Sequence, residues 1–505
     1  MAEEVVSWTR LNGPKLETFL FGQALIDYFQ FHLERKMRME SEVLSSPSKF
    51  VKRWITIMEP NTKQVYDNQN DNDSTSSVQI SDVTLISYVP VMMSCQTLMH
   101  LYAHSRIEEE YSEKQGFSSV YQDFVKINEE VQRLTSTWMT NALSVEYFIN
   151  IFSIPLIHFI SEVFGRKVGM LLSLSGTLGK VIVITATMFF KLPLDVLVWA
   201  CAINGITGGT GSFITGIVSH ISDKSNLGKS CFDHFSRILA LAIGVSGIFT
   251  VIFGYIMTSF SRIIVSLCLV YLALVCAIII IFRFEESQNR NASQMSPTMK
   301  CSFRDLWNVV PIRKFLLLFF FLSMAAFSYL PAGGQTIFVT QFFINKSVNA
   351  CNNTTIGIYL GIFAFSFYIT HFFASMAKME HISSNVIIVV CLLLGFVSSI
   401  VLSFTMRMFF YQAVLVNNLV VYTVMYFIGR ELSLLVDVRL HGCLYALLFV
   451  INLCATSLTL PFLNMIYKRT LSHFPGSLYF TYAAFFLIAA SFQFGVWFYE
   501  KDKKE

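Results

Sequence analysis

Residues 262–283 read RIIVSLCLVYLALVCAIIIIFR. No charge falls between Arg262 and Arg283. An apolar helix of about 20 residues is what a lipid bilayer requires of a crossing segment. Stretches of the same kind recur along the chain, near 82–103, 138–160, 168–190, 196–219, 236–258, 315–340, 355–377, 385–406, 408–429, 442–466 and 477–499. With 262–283 this makes six spans, a polar stretch and six more. The composition agrees: of 505 residues, 54% are hydrophobic and only 14% charged. Mean hydropathy is +0.55. A soluble chain of this length carries about 25% charge. Soluble enzymes, disordered scaffolds and nucleic-acid binders are therefore excluded as classes. The expected fold is an all-α polytopic membrane protein of twelve helices in two six-helix bundles.

The predicted organisation is an N-terminal extension over 1–78, a first bundle over 79–283, a central loop over 284–314, a second bundle over 315–499 and a tail over 500–505. The extension is mixed in charge and ends in the polar tract Asp67–Ser77, which reads as a linker. Within it Leu16–Leu33 reads as an amphipathic surface helix or as part of a small folded cap. The acidic start, Met-Ala-Glu-Glu, shows no signal peptide.

Charge sets the orientation. With cytoplasmic termini, the inner loops hold Arg166, Lys167, Lys224, Lys229, Arg237, Arg290, Lys300, Arg304, Arg313 and Lys314 among others. The short outer loops hold few basic residues, and the first, 104–137, is net acidic. Cytoplasmic loops gather Lys and Arg, so both termini are placed in the cytoplasm. The sequons at Asn345, Asn352 and Asn353 then cluster on one outer loop, between spans seven and eight, and read as glycosylation sites.

Few ionisable residues lie within the spans, and each such residue is costly in lipid. Glu146 in span two and Lys180 in span three sit roughly 12–15 Å below the outer surface at 1.5 Å per residue. Consecutive antiparallel helices bring equal depths together. The pair reads as a conformational bias, a substrate anchor or a structural ion pair. His371 in span eight titrates near neutral pH when unperturbed, so it is a proton-coupling candidate or a packed ring among aromatics. Gln335 follows Pro331 and Gly333-Gly334, where a broken helix exposes carbonyls or merely kinks. Asn418 and Asn452 supply amides for a solute or for helix contacts. The runs Gly205–Gly211 and Gly176–Lys180 resemble phosphate loops but lack the Walker spacing, and read as close helix packing. No cysteine or histidine spacing suggests a metal, and no nucleophile–base set suggests an enzyme. No cofactor is expected.

Between spans two and three stands Ser161-Glu-Val-Phe-Gly-Arg-Lys167. It resembles the loop signature of the major facilitator superfamily. Glu162, Gly165 and Arg166 would form its gating turn, with Gly allowing the bend and Arg pairing with a carboxylate or a helix end. Further short motifs fall in order: Glu129–Gln132, Ile243–Gly247, Cys301, Leu432–Val436 with His441-Gly442, and Phe474–Gly476. As a set, over about 80–500, they are similar to the proton-coupled folate transporter family, solute carrier family 46. The resemblance implies secondary-active transport of a small organic solute, an organic anion or folate-like metabolite, by alternating access, with proton symport as one drive. It implies a plasma-membrane or lysosomal location, and it places a functional arginine near Arg430. The partners implied are the solute, protons and the lipid bilayer, with no nucleic acid. The family's usual carboxylate in span five is Ala240 here. That departure, with the added N-terminal segment, supports the alternative of a transport-inactive homologue acting as a sensor or scaffold.

Overall fold

The structure is a computed structural model. It describes residues 72–115, 121–224, 231–259, 261–286, seven positions between 315 and 323, 353–376, 384–404, 410–437, 440–470, 473–474 and 476–502. The chain divides at Asn72, and the described part belongs to the unit that follows. Among the described residues there are helices and no strands. In order these are α1 (Asn72–Gln115), α2 (Tyr121–Phe164), α3 (Arg166–Phe190), α4 (Asp195–Ile206), α5 (Gly209–Lys224), α6 (Cys231–Ser259) and α7 (Arg262–Arg283). After the central stretch come α8 (Asn353–Met376), α9 (Ser384–Phe404), α10 (Phe410–Leu435), α11 (His441–Thr470) and α12 (Ser477–Asp502). Seven residues between 315 and 323 are also helical. They fall at the start of the expected span seven.

Eight stretches of the described residues are long and apolar enough to cross a membrane. One of them, Asp195–Asp223, is α4 and α5 taken together. Span four is thus a broken helix, which the hydropathy pattern concealed. Two other differences from the sequence reading are visible. Residues 72–77, expected as linker, form the first turns of α1, and most of the expected first outer loop is helical in α1 and α2. The reason at the end of α1 is local. Arg106 pairs with Glu109 at 3.0 Å and with Glu110 at 3.2 Å. Charges three and four residues apart support a helix where hydropathy is low.

Helix α2 shows how the bundle is turned toward lipid. Phe148, Phe152, Leu156 and Phe159 are 55–64% exposed and lie on one stripe. Glu146, Asn150, Ser153 and Ile157 are at most 8% exposed and lie on the opposite stripe. The apolar face points outward and the polar face inward, as expected when the surrounding medium is hydrocarbon. Where side chains shrink to glycine, helices close in. A Cβ on Gly395 of α9 would stand 3.0 Å from the ring of Phe486 on α12. Gly395→Val is expected to lower stability by about 1–3 kcal/mol through overpacking, read as a lower melting temperature in detergent.

Candidate functional site

Two polar centres emerge. The first lies within the first half. Lys180 Nζ on α3 donates to Glu146 Oε2 on α2 at 2.5 Å. Asn204 Nδ2 on α4 donates to Glu146 Oε1 at 2.7 Å. Asn204 Oδ1 accepts from Thr177 Oγ1 at 3.1 Å, and that hydroxyl lies 3.0 Å from Tyr88 OH of α1. Four helices are joined by one polar chain. Glu146 and Lys180 are 7% and 5% exposed, so both charges have left solvent and each depends on the other. The pair that sequence reading placed at equal depth is in direct contact. Asn204 was missed, because it sits at the edge of the glycine-rich run read as helix packing.

The second centre joins the two halves. Along α10, Asn418, Tyr422, Tyr426 and Arg430 recur every four residues, so each lies about one turn from the next. The buried ring of His371 on α8 stacks on Phe367 at 3.8 Å and stands edge-on to Tyr426 at 5.7 Å. Tyr426 OH donates to Asp233 Oδ1 of α6 at 2.8 Å. Asn418 is 3% exposed, and its Nδ2 has no hydrogen-bond partner among the described residues. His371 thus meets Tyr422 and Tyr426, with Asn418 and Arg430 one turn beyond them at either end along α10, whereas Glu146 and Lys180 belong to the other centre. Asp233 and Tyr426 were not foreseen, since neither stands out in a sequence of this composition. Gln335, Asn345 and Asn352 lie outside the described residues, as does the segment Leu16–Leu33. Asn353 is the first residue of α8.

The turn between α2 and α3 is built from residues remote in sequence. Gly165 has φ +112°, a conformation that favours glycine. Its missing side chain leaves room for the carboxylate of Glu286. Glu286 accepts from the N–H of Arg166 at 2.8 Å and of Lys167 at 3.2 Å, and so caps α3 where the helix dipole is positive. The Arg166 side chain donates to Glu162 at 2.5 Å and to Asp223 of α5 at 3.0 Å. Burial works against the Arg166 charge, but Asp223 and Glu162 outweigh it and hold the guanidinium above its usual pKa range.

Among the described residues, the halves meet chiefly along two helix pairs, with α5 also on α11 and α6 on α10. Helix α6 lies on α8, and α2 lies on α11. On the first seam a Cβ at Gly247 would stand 2.8 Å from Ala364 Cβ and 3.2 Å from Gly361 O. On the second, Ser136 of α2 donates to Asn464 of α11 at 2.5 Å. Toward the end that carries the 161–167 turn, a Cβ at Gly442 of α11 would meet Ser219 of α5 and stand 3.2 Å from His158 of α2.

No protein-family profile and no curated protein sequence matches the chain. Solved structures do. The human organic anion transporter MFSD10 (TETRAN) superposes with a TM-score of 0.58 at 13% identity, over 83% of this chain and 99% of that one. FucP, a major facilitator superfamily transporter in the outward conformation, gives 0.52 at 12% identity, over 83% and 98%. A structure of the E. coli fucose:proton symporter FucP gives 0.50 at 11% identity, over 81% and 98%. The chain has the major facilitator fold. This agrees with the all-α polytopic architecture and the twelve helices expected from the spans. At these identities the likeness speaks for the fold. The resemblance to solute carrier family 46 rests on the sequence motifs alone.

Proposed function

We propose that the protein is a secondary-active carrier of a small organic solute, working by alternating access. The observation that carries this reading is the construction of the contact between halves. Small residues let α6 and α8 approach closely along Gly247, Gly361 and Ala364. Among the described residues, direct polar contacts between halves include Ser136 with Asn464 and Asp233 with Tyr426. A seam of small residues lets one helix slide on the other, which is what rigid-body exchange of access requires. Organic anions and folate-like metabolites are the first solutes to test, because the sequence motifs resemble carriers of that class. MFSD10, the structural neighbour just described, is itself an organic anion transporter.

Proton coupling is the drive to test first, with Glu146 and His371 as the candidate titrating groups. The candidate solute and coupling residues are Glu146, Lys180, Gln335, His371, Asn418 and Arg430, and Glu162, Gly165 and Arg166 form the gating turn. Both termini are assigned to the cytoplasm of a plasma or lysosomal membrane, with glycosylation at Asn345, Asn352 and Asn353 on the outer side.

The test is uptake of labelled organic anions into cells or proteoliposomes at two external pH values. Saturable uptake that disappears in Glu146→Gln or Arg430→Ala supports the carrier. Buried Ala240, where the resembled family has an acid, favours a second reading: a transport-inactive sensor or scaffold. Absence of uptake from a folded, correctly located protein would decide for it. A seam substitution gives a separate check. Gly247→Leu is expected to abolish uptake and to lower stability by about 1–3 kcal/mol, read as melting temperature in detergent, because a Cβ there already stands 2.8 Å from Ala364 Cβ.

A further inference from the structure

Span four has a fixed part and a part that touches the other half of the molecule. The helix runs from Asp195 to Ile206, breaks over Thr207 and Gly208, and resumes at Gly209. At the break Gly208 has φ +74° and Gly209 has φ +45°. Right-handed helix geometry is abandoned only there, at two adjacent residues that adopt such angles without steric cost. The turn keeps some of its backbone bonds. Gly208 N donates to Gly205 O at 3.0 Å, and Ser212 N to Gly208 O at 3.1 Å. The break is therefore an ordered turn near the middle of a membrane-crossing element, where unsatisfied backbone would be expensive.

The two parts share two partners and differ in a third: both pack on α2 and α3, and α5 packs on α11 as well. Helix α4 packs on α2 and α3. It is tied there by Asn204, which bonds Glu146 on one side and Thr177 on the other. A Cβ at Gly205 would stand 3.0 Å from Glu146 O and from Ile149 Cβ, so the backbones of α4 and α2 are in close contact. Helix α5 also packs against α11, across the boundary between halves. A Cβ at Gly211 would meet Ile154 of α2 and stand 3.4 Å from Phe449 of α11, and Ser219 meets Gly442. One end of span four is thus held by a buried charge, and the other end closes the contact with the second half.

We propose that Thr207–Gly209 is a hinge, and that α5 swings away from α11 while α4 stays anchored on Glu146. This inference rests on the alternating-access reading, but its test does not require a known solute. In this scheme Asn204 is a positioning residue: it holds the fixed arm against which the hinge works. The two glycines absorb the change in φ and ψ, as hinge residues do in other domain closures. Both lie within the run that mimics a phosphate loop in sequence.

The experiment reads exposure of the α5–α11 contact in the full-length protein. Ser219→Cys, placed in a background carrying Cys231→Ser and Cys443→Ser, is treated with a membrane-impermeant maleimide in permeabilised membranes. The background without the added cysteine is subtracted. Ser219 is 1% exposed, so labelling reports opening. Adding Gly208→Ala and Gly209→Ala favours an unbroken right-handed helix. We expect labelling to slow at least tenfold. Thr207→Gly adds backbone freedom at the same place and is expected to speed labelling severalfold. An unchanged rate in the folded alanine variant overturns the hinge. If that variant fails to fold, an unchanged rate in Thr207→Gly overturns it instead. A negative uptake assay with hinge-dependent labelling counts against the carrier and leaves the hinge standing, so the two ideas fail separately.

Discussion

Lys180→Met is expected to lower the stability of the folded protein by about 3–5 kcal/mol, the range seen when one partner of a buried ion pair is removed. The substitution leaves the Glu146 carboxylate buried without its counter-ion, although Asn204 still donates to it. An isolated charge in such a place is costly because neither water nor a counter-ion compensates it. Glu146→Gln should cost a similar amount, because it strands the ammonium of Lys180 instead. The double variant Glu146→Gln with Lys180→Met removes both charges and keeps an acceptor for Asn204 Nδ2. It should recover most of the loss. The charge swap, Glu146→Lys with Lys180→Glu, should recover less. Asn204 would then have to present its oxygen to the ammonium and give up the bond from Thr177. Thermal unfolding in detergent orders the four variants. Additive losses in the double variant would show that the two groups act independently, despite the 2.5 Å contact.

The same pair shows what a sequence of this kind reveals. With few charges in the spans, Glu146 and Lys180 stand out, and helix rise alone places them at one depth. The spans are legible for a related reason: the thickness of the bilayer fixes the length of an apolar run. The broken helix was not legible. Gly205–Gly211 has the composition of a packing surface, and hydropathy is indifferent to backbone angles. The partners of Arg166 were hidden by distance along the chain. Asp223 lies 57 residues away and Glu286 120 residues away from it. The turn motif announces an arginine that wants a carboxylate, but only the fold chooses which one. His371 and Arg430 were singled out separately. What links them is Tyr426, which His371 meets edge-on and which lies one turn before Arg430; with Tyr422 it looks like ordinary core in an aromatic-rich sequence.

Arg166→Ala is the second substitution with a large expected effect, and it acts on the gate. The guanidinium binds Glu162 and Asp223 at once, joining the end of α2, the start of α3 and the end of α5. The arginine side chain is 5% exposed, whereas the two carboxylates are 27% and 25% exposed. Once the arginine is gone, water reaches the carboxylates in part. The cost should therefore fall below that of the Lys180 variant, at about 2 kcal/mol, the range for hydrogen bonds to charged groups. The functional loss should be larger than the loss of stability. The Asp223 contact is made by α5, the arm that also meets α11, so its release alters the closed position of that arm. Uptake should fall at least tenfold while the protein remains folded.

Arg166→Lys separates charge from geometry. Lysine keeps the charge but lacks the planar fork that reaches two acids in fixed directions. It should restore stability more than uptake. Glu286→Gln isolates the remaining part of the turn. It weakens the cap on the first two amides of α3 and should cost about 1 kcal/mol, with little change in uptake. If Arg166→Lys is fully active, the charge alone holds the gate and the fork is incidental. If Arg166→Ala is fully active, the turn does no more than connect two helices.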